Sequence, residues 1–132
     1  MSNEISVNGK CHCGKISISA MVDKNKVRVC HCTDCQKMSG APFRAIAIAS
    51  AESITISGTP KEYIKIGDSG NKRIQAFCFD CGTQLFATDI KKTTFNLRAG
   101  FLEQRDQLVP KQHVFIQSSV SWIKKYFEFK ED

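Results

Sequence analysis

The chain has 132 residues, of which 42% are hydrophobic and 24% are charged, and its formal net charge is +6. This length suits one domain with its own core, and the composition excludes a disordered or fibrous protein. Residues 1–6 lack the basic and apolar segments of a secretory signal, and the longest nearly apolar run, residues 45–49, is too short to cross a membrane. We therefore expect one domain over residues 1–132, located in the cytoplasm without membrane association. There, clustered cysteines bind metal rather than form disulfides.

The positive charges are scattered along the chain, with short pairs at residues 72–73, 91–92 and 124–125 and no run of five or more. This pattern is typical of a solvated surface. Attraction of a small anionic substrate is the alternative. Nucleic-acid binding is the least favoured interpretation, because no nucleic-acid motif accompanies the charge.

Polar and apolar residues alternate with a period of two in many short segments separated by turn signals, which predicts an all-β sandwich or open barrel. The predicted strands are residues 15–22, 26–29, 43–50, 53–57, 62–66, 73–77, 84–87, 93–98 and 113–117. Two short helices are predicted, at residues 34–39 and 121–127.

All seven cysteines fall into three tight clusters, and an odd number cannot be used by disulfides alone. Seven cysteines can be divided into a group of four and a group of three, and these are the ligand numbers of the two common kinds of zinc site. Four thiolates close a tetrahedral structural site, whereas three leave one position open for water or substrate. A group of three cysteines is therefore compatible with a catalytic zinc site, and so with an enzyme.

The third cluster, Cys78-x-x-Cys81-Gly82, is typical of a zinc knuckle, in which two thiolates grip one ion from a tight turn. Its natural partner is Cys11-x-Cys13-Gly14, because a glycine again follows the second cysteine and permits the positive φ of such turns. The four thiols would form a closed structural site. Phe77 and Phe79 are expected to shield the sulphur atoms.

The second cluster offers three thiols within one loop, Cys30, Cys32 and Cys35. These three can occupy one face of a zinc ion and leave the fourth position free, as catalytic zinc requires. The predicted helix after Cys32 would also place its N-terminal amides near the thiolates and stabilise their negative charge.

Other assignments stay open at this point. A zinc-ribbon pattern would join Cys32-x-x-Cys35 to Cys78-x-x-Cys81 and leave Cys11, Cys13 and Cys30 as the trio. The three-cysteine site could instead be structural, with a histidine or a carboxylate as its fourth ligand. A redox Cys-x-x-Cys is a third possibility, but the thioredoxin-like context is missing.

The histidines and Asp34 have less specific roles. His12 and His31 each lie between two cysteines, so their side chains should point away from a metal held by those neighbours. His113 is expected to be a core or edge histidine, with proton transfer near the metal as the alternative. Asp34 is expected to cap the helix or lie in its first turn.

Two arginines and two aromatic residues complete the candidates. Arg44 and Arg73 could bind the carboxylate of an anionic substrate, but exposed strand positions are the default expectation. Phe43 and Trp122 are expected in the core rather than stacked on a substrate.

The cysteine motifs resemble those of the glutathione-dependent formaldehyde-activating enzyme family, which also includes centromere protein V. The resemblance lies in residues 9–14 (Gly-Lys-Cys-His-Cys-Gly), residues 30–43 with their Ser-Gly-Ala-Pro segment, residues 77–83, and Pro110, His113 and Trp122. It extends over nearly the whole chain.

The resemblance implies an all-β "β-tent" fold of stacked antiparallel sheets pinned by zinc, with one or two short helices. It also implies two zinc ions per chain. The matching positions make Cys11, Cys13, Cys78 and Cys81 the structural ligands, and Cys30, Cys32 and Cys35 the catalytic ligands.

The activity implied is that of a carbon–sulfur lyase, which condenses a small-molecule thiol, glutathione, with formaldehyde to give S-hydroxymethylglutathione. The alternative is a non-catalytic zinc module that binds a protein or nucleic-acid partner, as the membership of centromere protein V suggests. Hydrolysis or another small-molecule reaction at the open zinc site is a third hypothesis.

Overall fold

The computed structural model describes residues 3–127, which fold mainly into antiparallel β-structure around one short α-helix. The strands are β1 (Glu4–Lys10), β2 (Ser17–Asp23), β3 (Arg28–Cys30), β4 (Arg44–Ser50), β5 (Thr55–Ser57), β6 (Lys61–Ile66), β7 (Lys72–Phe77), β8 (Gln84–Asp89), β9 (Thr94–Arg98) and β10 (Gln112–Val114). The helix α1 spans Thr33–Ser39. None of the helices in this part of the chain has the length and apolar character needed to cross a membrane.

The strands form one sheet whose main path runs β1-β2-β4-β9-β8-β7-β6. β5 pairs with β2, and β3 joins the path through β4. β10 pairs with β3 in parallel, whereas every pairing along the main path is antiparallel. The path ends at β1 on one side and β6 on the other, so the sheet does not close. The all-β antiparallel fold predicted from the sequence is confirmed.

The core follows from the alternation of apolar residues along the strands. On β2, Ile18, Ala20 and Val22 are buried while the residues between them point outward. Leu85 and Leu97 are fully buried on β8 and β9, and burial of each such side chain contributes about 1.5–3 kcal/mol. Two cysteines of the predicted four-thiol site belong to this same cluster of buried residues, which ties that site to the main core.

Gly9 allows β1 to approach the segment after β9 closely. A Cβ atom at this position would collide with the backbone carbonyl oxygen and the ring of Phe101. The close approach forms an isolated bridge between Gly9 and Leu102, and the Glu103 amide donates to the Asn8 carbonyl over 2.8 Å. This contact fixes the end of β1, from which the first cysteine pair emerges.

Three local features differ from the sequence prediction. β1 was not predicted, although Ile5 and Val7 alternate with polar residues as in the other strands. The helix predicted over residues 121–127 is only a 3₁₀ turn, Ile123–Lys125, anchored by buried Ile123. The last strand is shorter than predicted, because Phe115 adopts φ 57° in the left-handed region and ends it.

Candidate metal centres and the adjoining pocket

The first cluster brings together four thiols from two distant turns. Cys11 and Cys13 follow β1, whereas Cys78 and Cys81 follow β7, and all four sulphur atoms lie within 4.8 Å of one another. Gly14 and Gly82 have φ of 84° and 78°, as the predicted knuckle turns require.

The sulphur spacing fits a tetrahedral ion. Sγ of Cys13 lies 3.6 Å from Sγ of Cys11 and 3.7 Å from Sγ of Cys78. A disulfide bond is only about 2.05 Å long, and all seven cysteines are free. A zinc ion with bonds of about 2.3 Å to tetrahedral ligands would separate the sulphurs by about 3.8 Å. The four thiols therefore suit zinc by both donor chemistry and spacing.

Thr83 connects the two turns of this cluster. Its hydroxyl oxygen accepts a hydrogen bond from the His12 amide over 3.0 Å and lies 3.2 Å from Sγ of Cys81. The hydrogen bond with this hydroxyl lowers the pKa of the Cys81 thiol, which favours the thiolate that binds metal. The Cys78 amide donates to the Thr83 carbonyl over 3.0 Å and closes the turn.

The predicted shielding by Phe79 was wrong, because this ring is 71% exposed. Phe79 instead lies under the Lys61 ammonium, which is 5.5 Å from the ring centre. Burial of Cys11 and Cys78 against the main core excludes water from one side of the cluster, whereas Cys13 is exposed.

The second cluster lies where β3 meets α1. Cys30 ends β3, Cys32 caps α1, and Cys35 lies in the first turn of the helix, with their three sulphur atoms within 4.8 Å of one another. The Cys35 amide donates to Sγ of Cys32 over 3.3 Å, so the helix N-terminus stabilises negative charge there as expected.

No histidine nitrogen or carboxylate oxygen of residues 3–127 joins either thiol group. The thiols that a zinc ribbon would join, those of Cys32 and Cys35 with those of Cys78 and Cys81, lie in separate groups.

Arg44 makes the three-cysteine cluster electropositive on one side. Its Nη2 atom donates to Sγ of Cys35 over 3.3 Å. The hydrogen bond with the Cys30 thiol, aided by the Arg44 charge, lowers the pKa of Cys35, and the same contact raises the pKa of Cys30. The Arg44 contact therefore favours the thiolate form of Cys35.

The default expectation of an exposed Arg44 was wrong, because the side chain is only 6% exposed. Arg44 lies opposite Cys30 in the β3–β4 register and shares the face of β4 that carries Ile46. Ile46 packs against Cys30 and Cys35, so this face looks toward the cluster rather than toward solvent. Arg73, the other arginine considered, is half-buried on β7.

A pair of stacked histidines lies beside the cluster. His31 is fully buried, and its Nε2 lies 2.9 Å from Nδ1 of His113 on the neighbouring strand β10. Burial lowers the pKa of both imidazoles, which favours their neutral forms. His113 is half-buried at this strand, in line with an edge histidine, and His12 is exposed.

Gln36 was not singled out from the sequence, yet it holds α1 against the C-terminal segment. Its side-chain amide donates to the carbonyls of His31 and Ser118 over 2.8 and 2.9 Å. Residues 36 and 118 are 82 positions apart, and no motif in the sequence indicates that they meet.

The remaining candidates are less central. Asp34 lies in the first turn of α1, is exposed, and pairs with Lys65 over 3.6 Å. Phe43 is half-buried, with its ring centre 5.9 Å from that of His31. Trp122 was expected in the core, but it is 47% exposed and contacts Tyr126 edge-on.

A pocket of about 520 Å³ is lined by residues that neighbour both thiol clusters in the chain. Met38, Ser39 and Arg44 line it from the side of the three-cysteine cluster, and Gly82 and Thr83 line it from the other. Arg44 thus contacts a cluster thiol and also faces a space large enough for a small molecule.

Comparisons with known proteins agree with the resemblance seen in the cysteine motifs. The sequence pattern of the glutathione-dependent formaldehyde-activating enzyme family matches residues 6–118. An uncharacterized lyase of Schizosaccharomyces pombe is 31% identical over 78 residues, which cover 59% of this chain and 54% of that protein. The chain thus matches about half the length of this relative.

A crystal structure of a Rhodobacter sphaeroides protein matches the fold with a TM-score of 0.58 at 19% identity. The match covers 73% of this chain and 87% of that protein. The family pattern extends over both thiol clusters and most of the sheet, and the chain therefore belongs to the glutathione-dependent formaldehyde-activating enzyme family.

Proposed function

We propose that this protein is a zinc-dependent carbon–sulfur lyase that condenses glutathione or a related thiol with formaldehyde or a related small aldehyde. In this proposal the four-thiol cluster holds a structural zinc and the three-thiol cluster of Cys30, Cys32 and Cys35 holds a catalytic zinc. Family membership and the thiol geometry support it, and the matched S. pombe protein carries the name of a lyase.

The observation that carries the proposal is the number of ligands in the second cluster. Three thiols converge there, and within residues 3–127 no fourth protein ligand joins them. Zinc in structural sites is almost always held by four protein ligands, whereas catalytic zinc has three and a position for an exchangeable ligand. Cys32 is only partly buried, so one side of the cluster is accessible.

The reaction requires little beyond thiolate formation and carbonyl activation. The thiol adds across the C=O bond: a carbon–sulphur bond forms, the carbonyl π bond breaks, and the thiol proton ends on the oxygen. Zinc, when bound, supplies Lewis acidity and stabilises a thiolate.

The chain's own residues have separate parts in this chemistry. Arg44 provides a fixed positive charge beside Cys35 and favours anionic sulphur at the cluster. The pocket next to Arg44 provides space for the rest of the thiol molecule. Gln36 and the Cys32 cap hold the loop in place, so the site is organised before substrate arrives.

The test is the rate at which glutathione and formaldehyde form the adduct, followed by NMR, with protein that contains two zinc ions per chain. Wild-type protein should exceed the spontaneous rate, and Cys32→Ser should return to that rate while its circular dichroism stays unchanged. Ser6→Ala, at an exposed position of β1, serves as the control and should retain full activity. Equal rates for wild type and Cys32→Ser, both at the spontaneous level, would remove the proposal.

A further inference from the structure

Two arginines on neighbouring strands point toward the three-cysteine cluster. Arg98 on β9 lies next to the β4 strand that carries Arg44, and the register places Ile46 opposite Arg98. Residues directly opposite in an antiparallel pair share a face, as do residues two apart on one strand. Arg44, Ile46 and Arg98 therefore share one face, and Ile46 packs on Cys30 and Cys35.

Both arginines are buried without an acidic partner. Each is 6% exposed, and in residues 3–127 no carboxylate lies within ion-pair distance of either, because the pairs found there involve Lys15, Lys65, Lys92 and Arg105. Isolated buried charges are costly, and proteins normally pair them.

Their hydrogen-bond donors are only partly used. Arg44 donates Nη2 to the Cys35 thiol over 3.3 Å, and Arg98 donates Nη2 to Oε1 of Gln75 over 2.9 Å. Nε and Nη1 of Arg44 and Nε of Arg98 are buried and have no hydrogen-bond partner. The Cys35 thiolate can balance one positive charge, which leaves a second charge and three nitrogen donors without a partner.

The positive charge persists at neutral pH. Burial, together with repulsion from Arg44, lowers the pKa of Arg98 to about 9, which still keeps the guanidinium protonated at pH 7. Both side chains line the same pocket, so one ligand there can meet both charges.

The pocket lined by neighbours of both thiol clusters offers a place for that ligand. Arg44 and Arg98 both line it, together with the polar residues Ser39, Thr83 and Gln84. Its volume of about 520 Å³ suits a small organic molecule. A planar guanidinium matches a carboxylate in shape and charge, and such hydrogen bonds are about twice as strong as neutral ones.

We propose that Arg44 and Arg98 bind a carboxylate of the thiol substrate in this pocket, so that the protein selects anionic thiols over neutral ones. This inference rests on the proposed function in assuming that the ligand is a thiol. The two arginines then determine specificity: the three-cysteine cluster would receive the sulphur atom, and the arginines the opposite end of the molecule.

Calorimetric titration of the zinc-containing protein with two matched thiols tests this assignment. 3-Mercaptopropionate carries a carboxylate, and 3-mercaptopropionamide has the same size without the charge. Wild-type protein should bind the anion at least about tenfold more tightly, as expected for loss of a charge-assisted hydrogen bond. A ratio of affinities near one would overturn the proposal.

Variants separate substrate binding from a purely structural role. Arg44→Met and Arg98→Met should each bring the ratio of affinities toward one, whereas Arg44→Lys should retain part of it. Lys72→Gln removes a charge at an exposed position of β7 and should leave the ratio unchanged. If both Met variants keep their zinc and the wild-type ratio, the arginines only balance the thiolates and the proposal fails. If either Met variant fails to fold, the ratios of affinities of wild type and Arg44→Lys are compared instead. The proposal stands if wild type prefers the anion and Arg44→Lys prefers it less, and it fails if the two ratios are equal.

Failure of the proposed function gives a different result. Protein that shows the anion preference and its dependence on Arg44 but forms no adduct from glutathione and formaldehyde has the carboxylate site without the lyase activity. Protein that accelerates adduct formation but binds the acid and the amide equally is a lyase without this site.

Discussion

The two thiol clusters are made of the same side chains, yet the chain holds them in different ways. The four-cysteine cluster joins turns that are far apart, since Cys13 and Cys78 are 65 residues from each other, and it is part of the main core. The three-cysteine cluster lies within one loop and packs on a small satellite group around Ile46. Closing a long loop restricts the unfolded chain much more than closing a short one. We therefore expect metal in the first cluster to stabilise the fold, and we propose that metal in the second is available for chemistry.

The largest expected effect is a difference in stability between Cys78→Ser and Cys32→Ser. Structural zinc is strongly coupled to folding, so losing Cys78 should lower the free energy of unfolding by at least about 3 kcal/mol or prevent folding. Cys32→Ser should cost less than about 1 kcal/mol, because its ligand set closes no long loop. Urea unfolding monitored by circular dichroism measures both, and equal losses would contradict the division into structural and catalytic sites.

Zinc release should occur in two steps. The three-thiol cluster leaves one side of the ion accessible, so a coloured chelator should remove one equivalent quickly and the second much more slowly. Acid should act in the same order, because protons compete with zinc for the thiolates and the accessible cluster exchanges its metal faster. Cys35→Ser should abolish the fast step alone. A single step that releases both equivalents together would show that the clusters do not differ in lability.

Hydrogen bonds should matter to different degrees around the two clusters. Gln36 makes two hydrogen bonds to backbone carbonyls that hold α1, so Gln36→Leu should destabilise the protein by about 1–2 kcal/mol.

Thr83→Val near the four-cysteine cluster removes the hydroxyl that contacts His12 and Cys81, but the metal would still hold the turns together. We expect a smaller loss of about 0.5–1 kcal/mol there. Hydrogen exchange should locate the first effect at residues 115–119, and a larger effect at Thr83 would reverse the expected order.

The sequence predicted the strands and the grouping of the seven thiols better than it predicted the residues that surround the thiols. Alternation identified β2 and β4 because one face of each packs on a core, and the spacing of Cys78 and Cys81 indicated a turn that the backbone confirms. The burial of Arg44 could not be predicted, because it depends on which face of β4 looks toward Cys30, and only the strand pairing decides this.

The errors have a common physical origin. The amphipathic pattern at residues 121–127 resembles a helix, but a single 3₁₀ turn around Ile123 is enough to bury its apolar side chain. Tertiary packing overrode the local pattern there.

The smallest expected effect comes from a carboxylate remote from both clusters, and it separates acid effects on the sheet from acid effects on the metals. Although partial desolvation opposes it, hydrogen bonds from the amides of Thr93 and Thr94 and from the Thr93 hydroxyl lower the pKa of Asp89 to about 2. A carboxyl whose pKa is lower in the folded state contributes stability above its unfolded pKa of about 4, and this contribution disappears as the pH falls toward 2. Asp89→Asn should therefore lower the thermal midpoint slightly at pH 7, and the difference from wild type should vanish near pH 2. Wild type and Asp89→Asn are compared at each pH with the same zinc content, so that metal release affects both proteins alike. A difference that persists undiminished to pH 2 would mean that the β8–β9 turn depends on the shape of Asp89 rather than on its charge.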